Sequence, residues 1–166
     1  MTEKPWWLPP LVLFSDYRGD WERYLNALYS YFESDFLRTR PLFRGQRLGL
    51  KRHPLWEGKE ATFWHMISEG RDEATRQPDL RRCERLRWSR AVIENSNDPA
   101  VKVWETTRRN ERRVCLWLKE EEYLVVLAER QDYLLPWTAY MVTRSHRKLK
   151  FQKEFERWKK KEDQNS

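Results

Sequence analysis

Histidine is the side chain whose ordinary pKa lies closest to neutrality, so acid–base chemistry in this chain centres on three residues. His65 stands in Phe63-Trp64-His65-Met66 on an expected short helix. His146 lies between Arg144 and Arg147 at the start of the last basic segment, and His53 precedes Pro54 in a turn. Each has a plain alternative: a core-edge histidine satisfying a carbonyl for His65, a surface residue for His146, a turn residue for His53. The chain has no GxGxxG, P-loop, HExxH or GxSxG motif, and no isolated pair of carboxylates at DxD spacing to hold Mg²⁺. The expectation is no cofactor and no metal.

A nuclease built on such sparse equipment would have to be metal-independent, and metal-free RNA cleavage needs little. In metal-free RNA cleavage the substrate's own 2′-hydroxyl attacks the adjacent phosphate. The protein supplies a base, an acid and cations for the pentavalent charge. The cations are concentrated in two places. Arg144 to Lys161 holds nine Lys or Arg against two Glu, and Arg76 to Arg90 holds six Arg and one Glu. Two basic helices flanking one sheet face would form a groove for a phosphate backbone, and arginine suits bidentate phosphate contact. The same clusters would equally solvate two exposed helix faces. Thr138 and Tyr140 share one face of the expected last strand, with Trp137 and Ala139 on the other. That hydroxyl pair could hold a phosphate oxygen. Trp104 and Trp117 could stack a base, although ten tryptophans in 166 residues must mostly be core.

The elements that would position these groups follow from periodicity. A strap, residues 1–19, contains Pro5-Trp6-Trp7-Leu8-Pro9-Pro10. A mainly helical half follows, 20–96. Asp20 caps a helix to about Phe36, with Trp21, Tyr24, Leu25, Leu28, Tyr29 and Phe32 at spacings of three and four. Leu42–Leu50 alternates as one short strand weakened by two glycines. A short helix spans about Lys59 to Ser68, and another begins near Asp79. The period then changes to two, giving an antiparallel meander over 101–142. Its third strand, Tyr123–Leu127, is a continuous apolar run and thus buried on both faces. Pro136 in its last strand demands an edge position or a bulge. A basic helix, 145–160, ends the pattern with Phe151, Phe155 and Trp158 as its stripe. The expected fold is one α+β domain with helices on one face of a four-stranded meander sheet.

Composition narrows the class. The net charge is +7, charged residues make up 36%, and aromatics 14%; mean hydropathy is −0.99 and pI near 9.5. So aromatic a chain is not disordered, and it is neither collagen-like nor a coiled coil. Two cysteines, Cys83 and Cys115, provide neither a disulfide framework nor a CxxC zinc site. No signal peptide and no run of ~18 apolar residues is present. The expectation is a cytoplasmic protein that spans no membrane; the oligomeric state is not legible.

The segment Tyr133-Leu134-Leu135-Pro136-Trp137-Thr138-Ala139-Tyr140, then Ser145-His146-Arg147-Lys148-Leu149-Lys150 and a basic helix, resembles the end of phage- and toxin-associated members of the barnase–EndoU–colicin–RelE (BECR) nuclease group. Phe63-Trp64-His65, the Arg-rich helix ending near Trp88 and the strand Val101–Thr106 fall in that group's order, over about residues 42–155. The resemblance implies a RelE/barnase-like, metal-independent endoribonuclease with a 2′,3′-cyclic phosphate product, and an acidic antitoxin or immunity protein as partner. It makes His65 the acid or base, places Arg82 and Arg85 on the scissile phosphate and Thr138 beside it. Arg81, Lys102, Trp104, Tyr140, His146, Lys148 and Lys150 are the remaining candidates for contact with RNA. Pro136 departs from the unbroken strand such proteins use. The alternatives are a non-catalytic nucleic-acid-binding module, or a protein-interaction domain of a phage or mobile element.

Overall fold

The structure, a computed structural model, describes residues 3–166; the first two residues of the expected strap lie outside the described residues. From Pro5 onward the strap is tied down by the half-buried indole of Trp7, the buried indole of Trp88 and a buried tyrosine. Trp7 Nε1 donates to Asp98 Oδ2 at 2.8 Å and Trp88 Nε1 to the Pro9 carbonyl at 2.8 Å. The Tyr24 hydroxyl donates to the Val12 carbonyl at 2.8 Å.

Helix α1 spans Trp21–Phe32, with Asp20 accepting from the Arg23 amide at 3.2 Å. Asp20→Ala is expected to lower stability by about 1 kcal/mol, the usual worth of an N-cap, measured as the shift in a urea midpoint. Tyr24, Leu25, Leu28 and Phe32 are its buried face. Beyond Phe32 the chain widens into a π-helical turn, Glu33–Arg38. That turn brings Asp35 inward, where its carboxylate accepts from Arg87 at 3.0 and 3.2 Å. The single strand expected over 42–50 is instead a tight hairpin, β1 (Leu42–Phe43) and β2 (Gln46–Arg47). Arg44 and Gly45 both adopt positive φ and reverse the chain between them.

Helix α2 is Ala61–Ile67, buried on most sides. Strands β3 (Ser68–Glu69) and β4 (Gln77–Pro78) pair across the neck of an exposed loop. The Asp79 carboxylate caps α3 (Leu80–Glu84) by accepting from the Arg81 and Arg82 amides, and α4 (Leu86–Glu94) follows after a break at Arg85.

The main sheet is the expected meander, in the order β5 (Val101–Arg108), β6 (Glu111–Leu118), β7 (Tyr123–Arg130) and β8 (Tyr133–Met141). Arg109 and Asn110, both at positive φ, make the two-residue turn between the first pair. Helices cover both faces of this sheet, not one. Val103, Leu116, Val125 and Leu127 face the core shared with α1, α2 and α4. Trp104, Cys115, Trp117, Leu124 and Val126 face the other way, against Phe151 of helix α5 (Ser145–Asn165). The physical reason is the apolar second face itself. A sheet with two indoles on that side must be covered, and the Phe151 stripe covers it.

Strand β8 is an edge strand, and its register shifts between Val126 and Leu127, where Thr138 and Pro136 are the partners. Trp137 is the extra residue of this bulge. Pro136, lacking an N–H, cannot donate to the ladder, which resumes at Leu135. The bulge places Trp137 in the same cleft as Thr138, not on the opposite face as strict alternation requires.

Candidate active site

Helix α5 covers only part of the second sheet face. The uncovered part forms the floor of a cleft of about 660 Å³. Thr138 and Tyr140 of β8 lie on that floor, Arg147 and Lys150 of α5 form one wall, and His65, Arg76 and Arg82 form the other.

His65 is 5% exposed and reaches the cleft from α2. Its ring meets Trp137 edge-on at 4.9 Å between centroids. Its Nε2 lies 2.6 Å from Glu73 Oε1. Glu73 lies outside the cleft, on the opposite side of His65, where it lines a separate groove with Trp21, Trp56 and Trp64. Lys51 Nζ stands 3.5 Å from the same carboxylate oxygen. Burial pushes the His65 imidazole below its ordinary pKa, against the pull of Glu73. Burial alone would push Glu73 up, but the His65 hydrogen bond and the charges of His65 and Lys51 outweigh it and hold the carboxyl below the usual range. The pair at neutral pH is therefore an ionised Glu73 accepting from the Nε2–H of a neutral His65, with the ring's lone pair on Nδ1. Removing the charge by Glu73→Gln takes away a contribution that raises the His65 pKa. For a reaction in which His65 is the base, the acidic limb of a kcat/KM–pH profile is then expected to move to lower pH, with a loss of rate. A limb that stays in place or moves up would disprove the pairing's role.

Arg82 links its wall to the floor of the cleft. Its Nη1 donates to the Ser68 carbonyl at 2.6 Å and to Thr138 Oγ1 at 3.3 Å, and its guanidinium lies over the Tyr140 ring at 5.4 Å. Its Nε is buried without a hydrogen-bond partner. Arg76 fixes the turn between α2 and the loop, donating to the Ser68 and Gly70 carbonyls at 2.6 and 2.7 Å. On the far wall Arg147 Nη2 donates to the Tyr140 hydroxyl oxygen at 3.0 Å. Burial raises the Tyr140 pKa against the lowering effect of Arg147, so the phenol keeps its proton.

The cleft thus gathers His65, Arg82, Thr138, Tyr140 and Lys150. The other expected site residues lie elsewhere. Arg85 is outside the cleft, over the Trp88 ring at 5.2 Å and donating to the Arg81 carbonyl at 3.2 Å. Spacing of three would have put it beside Arg82 on an unbroken helix, but the helix breaks at Arg85, with φ −107° and ψ 15°. Trp104 is 0% exposed and donates Nε1 to Glu154 at 3.2 Å, and Trp117 is equally buried. Neither can stack a base. Lys102 is outside the cleft, over Phe155 at 4.7 Å. His146 is exposed outside it, and Lys148 pairs with Glu122. Arg81 lines an adjoining, shallower depression.

Sequence reasoning missed Glu73, Arg76, Trp137 and Arg147. Arg76 and Arg147 belong to the two basic clusters without standing out in them, Trp137 had a signal in the proline before it, and Glu73 had none. Among the described residues, no three His, Cys, Asp or Glu side chains gather as a metal ion's ligands would, and no helix is long and apolar enough to cross a membrane. Comparison with protein-family models, with curated proteins and with solved structures found no match to this chain.

Proposed function

We propose that this protein is a metal-independent endoribonuclease, and that the cleft is where it cuts. The observation that carries the reading is His65, oriented from behind by Glu73 and opening onto a cleft where arginines, Lys150 and the hydroxyls of Thr138 and Tyr140 outnumber two carboxylates, Glu69 and Glu154. In this reading the neutral His65 takes the proton of the substrate's 2′-hydroxyl as that oxygen attacks phosphorus. Arg82 neutralises the pentavalent phosphorane. Thr138 Oγ1 accepts from Arg82, which leaves its own hydrogen free for a phosphate oxygen. The Tyr140 phenol, its oxygen held by Arg147, gives its proton to the departing 5′ oxygen. The product is a 2′,3′-cyclic phosphate and a free 5′-hydroxyl.

The resemblance of residues 42–155 to phage- and toxin-associated BECR nucleases supports the same reading, with a RelE/barnase-like arrangement, a cytoplasmic site of action and an acidic antitoxin or immunity protein as partner. The four-stranded antiparallel meander supports that arrangement in outline, while helix α5 on the second sheet face departs from it.

The test is incubation of the purified protein with total RNA in EDTA, beside a His65→Gln variant. Discrete fragments ending in cyclic phosphate, from the wild type alone, are expected. RNA that stays intact but shifts on a gel would instead make this a binding module. RNA that neither breaks nor shifts would leave a protein-interaction domain.

A further inference from the structure

The cleft does not end at Tyr140. A second depression, of about 370 Å³, adjoins it and shares Arg82, Tyr140, Arg147 and Glu69 with it. Two further arginines belong to the second depression alone: Arg81 from α3 and Arg144 at the mouth of α5, both exposed. Tyr140 is the pier between the two. Arg82 lies over its ring at 5.4 Å and Arg147 at 5.7 Å. Two guanidiniums are therefore fixed at the boundary and can serve an anion on either side of it.

The acids of the second depression do not cancel its charge. Asp79 is occupied as the cap of α3, accepting from the Arg81 and Arg82 amides at 2.9 and 3.4 Å, and it lies 3.7 Å from Arg82 Nε. Glu69 is the other acid, and the only one the two depressions share. Four arginines thus face two carboxylates, one of them committed to the backbone. Arginines arranged along a groove, and not gathered at one point, track a linear polyanion.

We propose that this second depression holds a second phosphate of the same strand, through Arg81, Arg144 and the shared Arg82 and Arg147. The substrate is then a single-stranded oligonucleotide of at least three nucleotides, not a dinucleotide or an isolated phosphate ester. This rests on the cleft being the site where RNA is cut, but its test does not need cutting. The probes are fully 2′-O-methylated di- and triuridylates, which carry one and two internucleotide phosphates and cannot cyclise. Their dissociation constants are measured against salt by quenching of tryptophan fluorescence.

The wild type is expected to bind the trinucleotide about tenfold more tightly than the dinucleotide at low salt. The log–log salt slope should be steeper by about 0.7, the value for one added phosphate contact on a single strand. Replacing both exposed arginines (R81A/R144A) should bring the ratio of the two constants to about one. Removing two charges from the end of α5 (K160A/K161A) should leave the ratio standing. A wild-type ratio near one, a ratio unchanged in R81A/R144A, or no binding of either probe overturns the proposal. If the ratios hold while unmodified RNA stays intact in EDTA, the cleavage reading fails and the phosphate track remains. If RNA is cut while the wild-type ratio is one, only the track fails.

Discussion

His65→Gln is expected to lower kcat/KM for RNA cleavage by about 10²- to 10⁴-fold, the usual worth of a positioned acid–base group. Most of the loss should appear in kcat, because in the proposed reaction the residue moves a proton in the transition state and contributes little to holding the strand. Glutamine is chosen because His65 is buried between Trp137 and Glu73. Its amide can still donate to the Glu73 carboxylate, so the carboxylate is not left unpartnered and the fold should survive. Circular dichroism and a thermal melt establish that the variant is folded before rates are compared. The affinity of the variant for a non-cleavable oligonucleotide should stay within a few-fold of wild type. A folded variant that cuts RNA at more than a third of the wild-type rate would remove His65 from the mechanism. It would leave the Glu73 pairing as an ordinary way of satisfying a buried imidazole.

Trp104→Ala should be the most damaging change on the second sheet face. The indole is fully buried, edge-on to Trp117 at 6.2 Å, and in contact with α5 through Phe151 at 5.8 Å and Phe155 at 6.2 Å. Truncating such a side chain to alanine costs about 3–5 kcal/mol, partly from lost transfer energy and partly from the cavity left behind. In a domain of this length that corresponds to a fall in Tm of roughly 10 °C. A fall below about 3 °C, read by circular dichroism, would show that α5 packs without this contact. The loss should reach the cleft as well, since Arg147 and Lys150 are carried by the same helix.

Period was the readable part of this sequence. The change from 3.6 to 2 near Val101 marked the meander, whose four strands fall within the expected stretch, β5 and β7 running on past Thr106 and Leu127 to Arg108 and Arg130. The side of the sheet taken by α5 was not readable. Phe151, Phe155 and Trp158 announce an amphipathic helix, but a stripe does not say which of two apolar sheet faces it meets. The site divides in the same way. His65, Arg82, Thr138, Tyr140 and Lys150 could be singled out by type and setting, and the fold brings them to one cleft. Arg85 failed because helical spacing holds only while the helix does. Trp104 failed because an aromatic residue on a strand looks the same whether it faces solvent or core. Glu73 lies eight residues from His65 in a loop of no period, and its pairing across a turn stitched by Arg76 leaves no local pattern.

The C-terminal helix is the least anchored of the long elements, since Phe151 is its one buried residue. A helix held at so few points undocks at a lower free energy than the sheet unfolds. The four strands and the N-terminal helices would persist in that state, but Arg147 and Lys150 would no longer face Arg82. The share of molecules able to work is then set by a docking equilibrium, and not by global stability. Hydrogen exchange would report it directly. The amides of α5 should exchange orders of magnitude faster than those of β6 and β7, and adding a polyanion should slow the helix alone, which would make the proposed substrate the agent that assembles its own site.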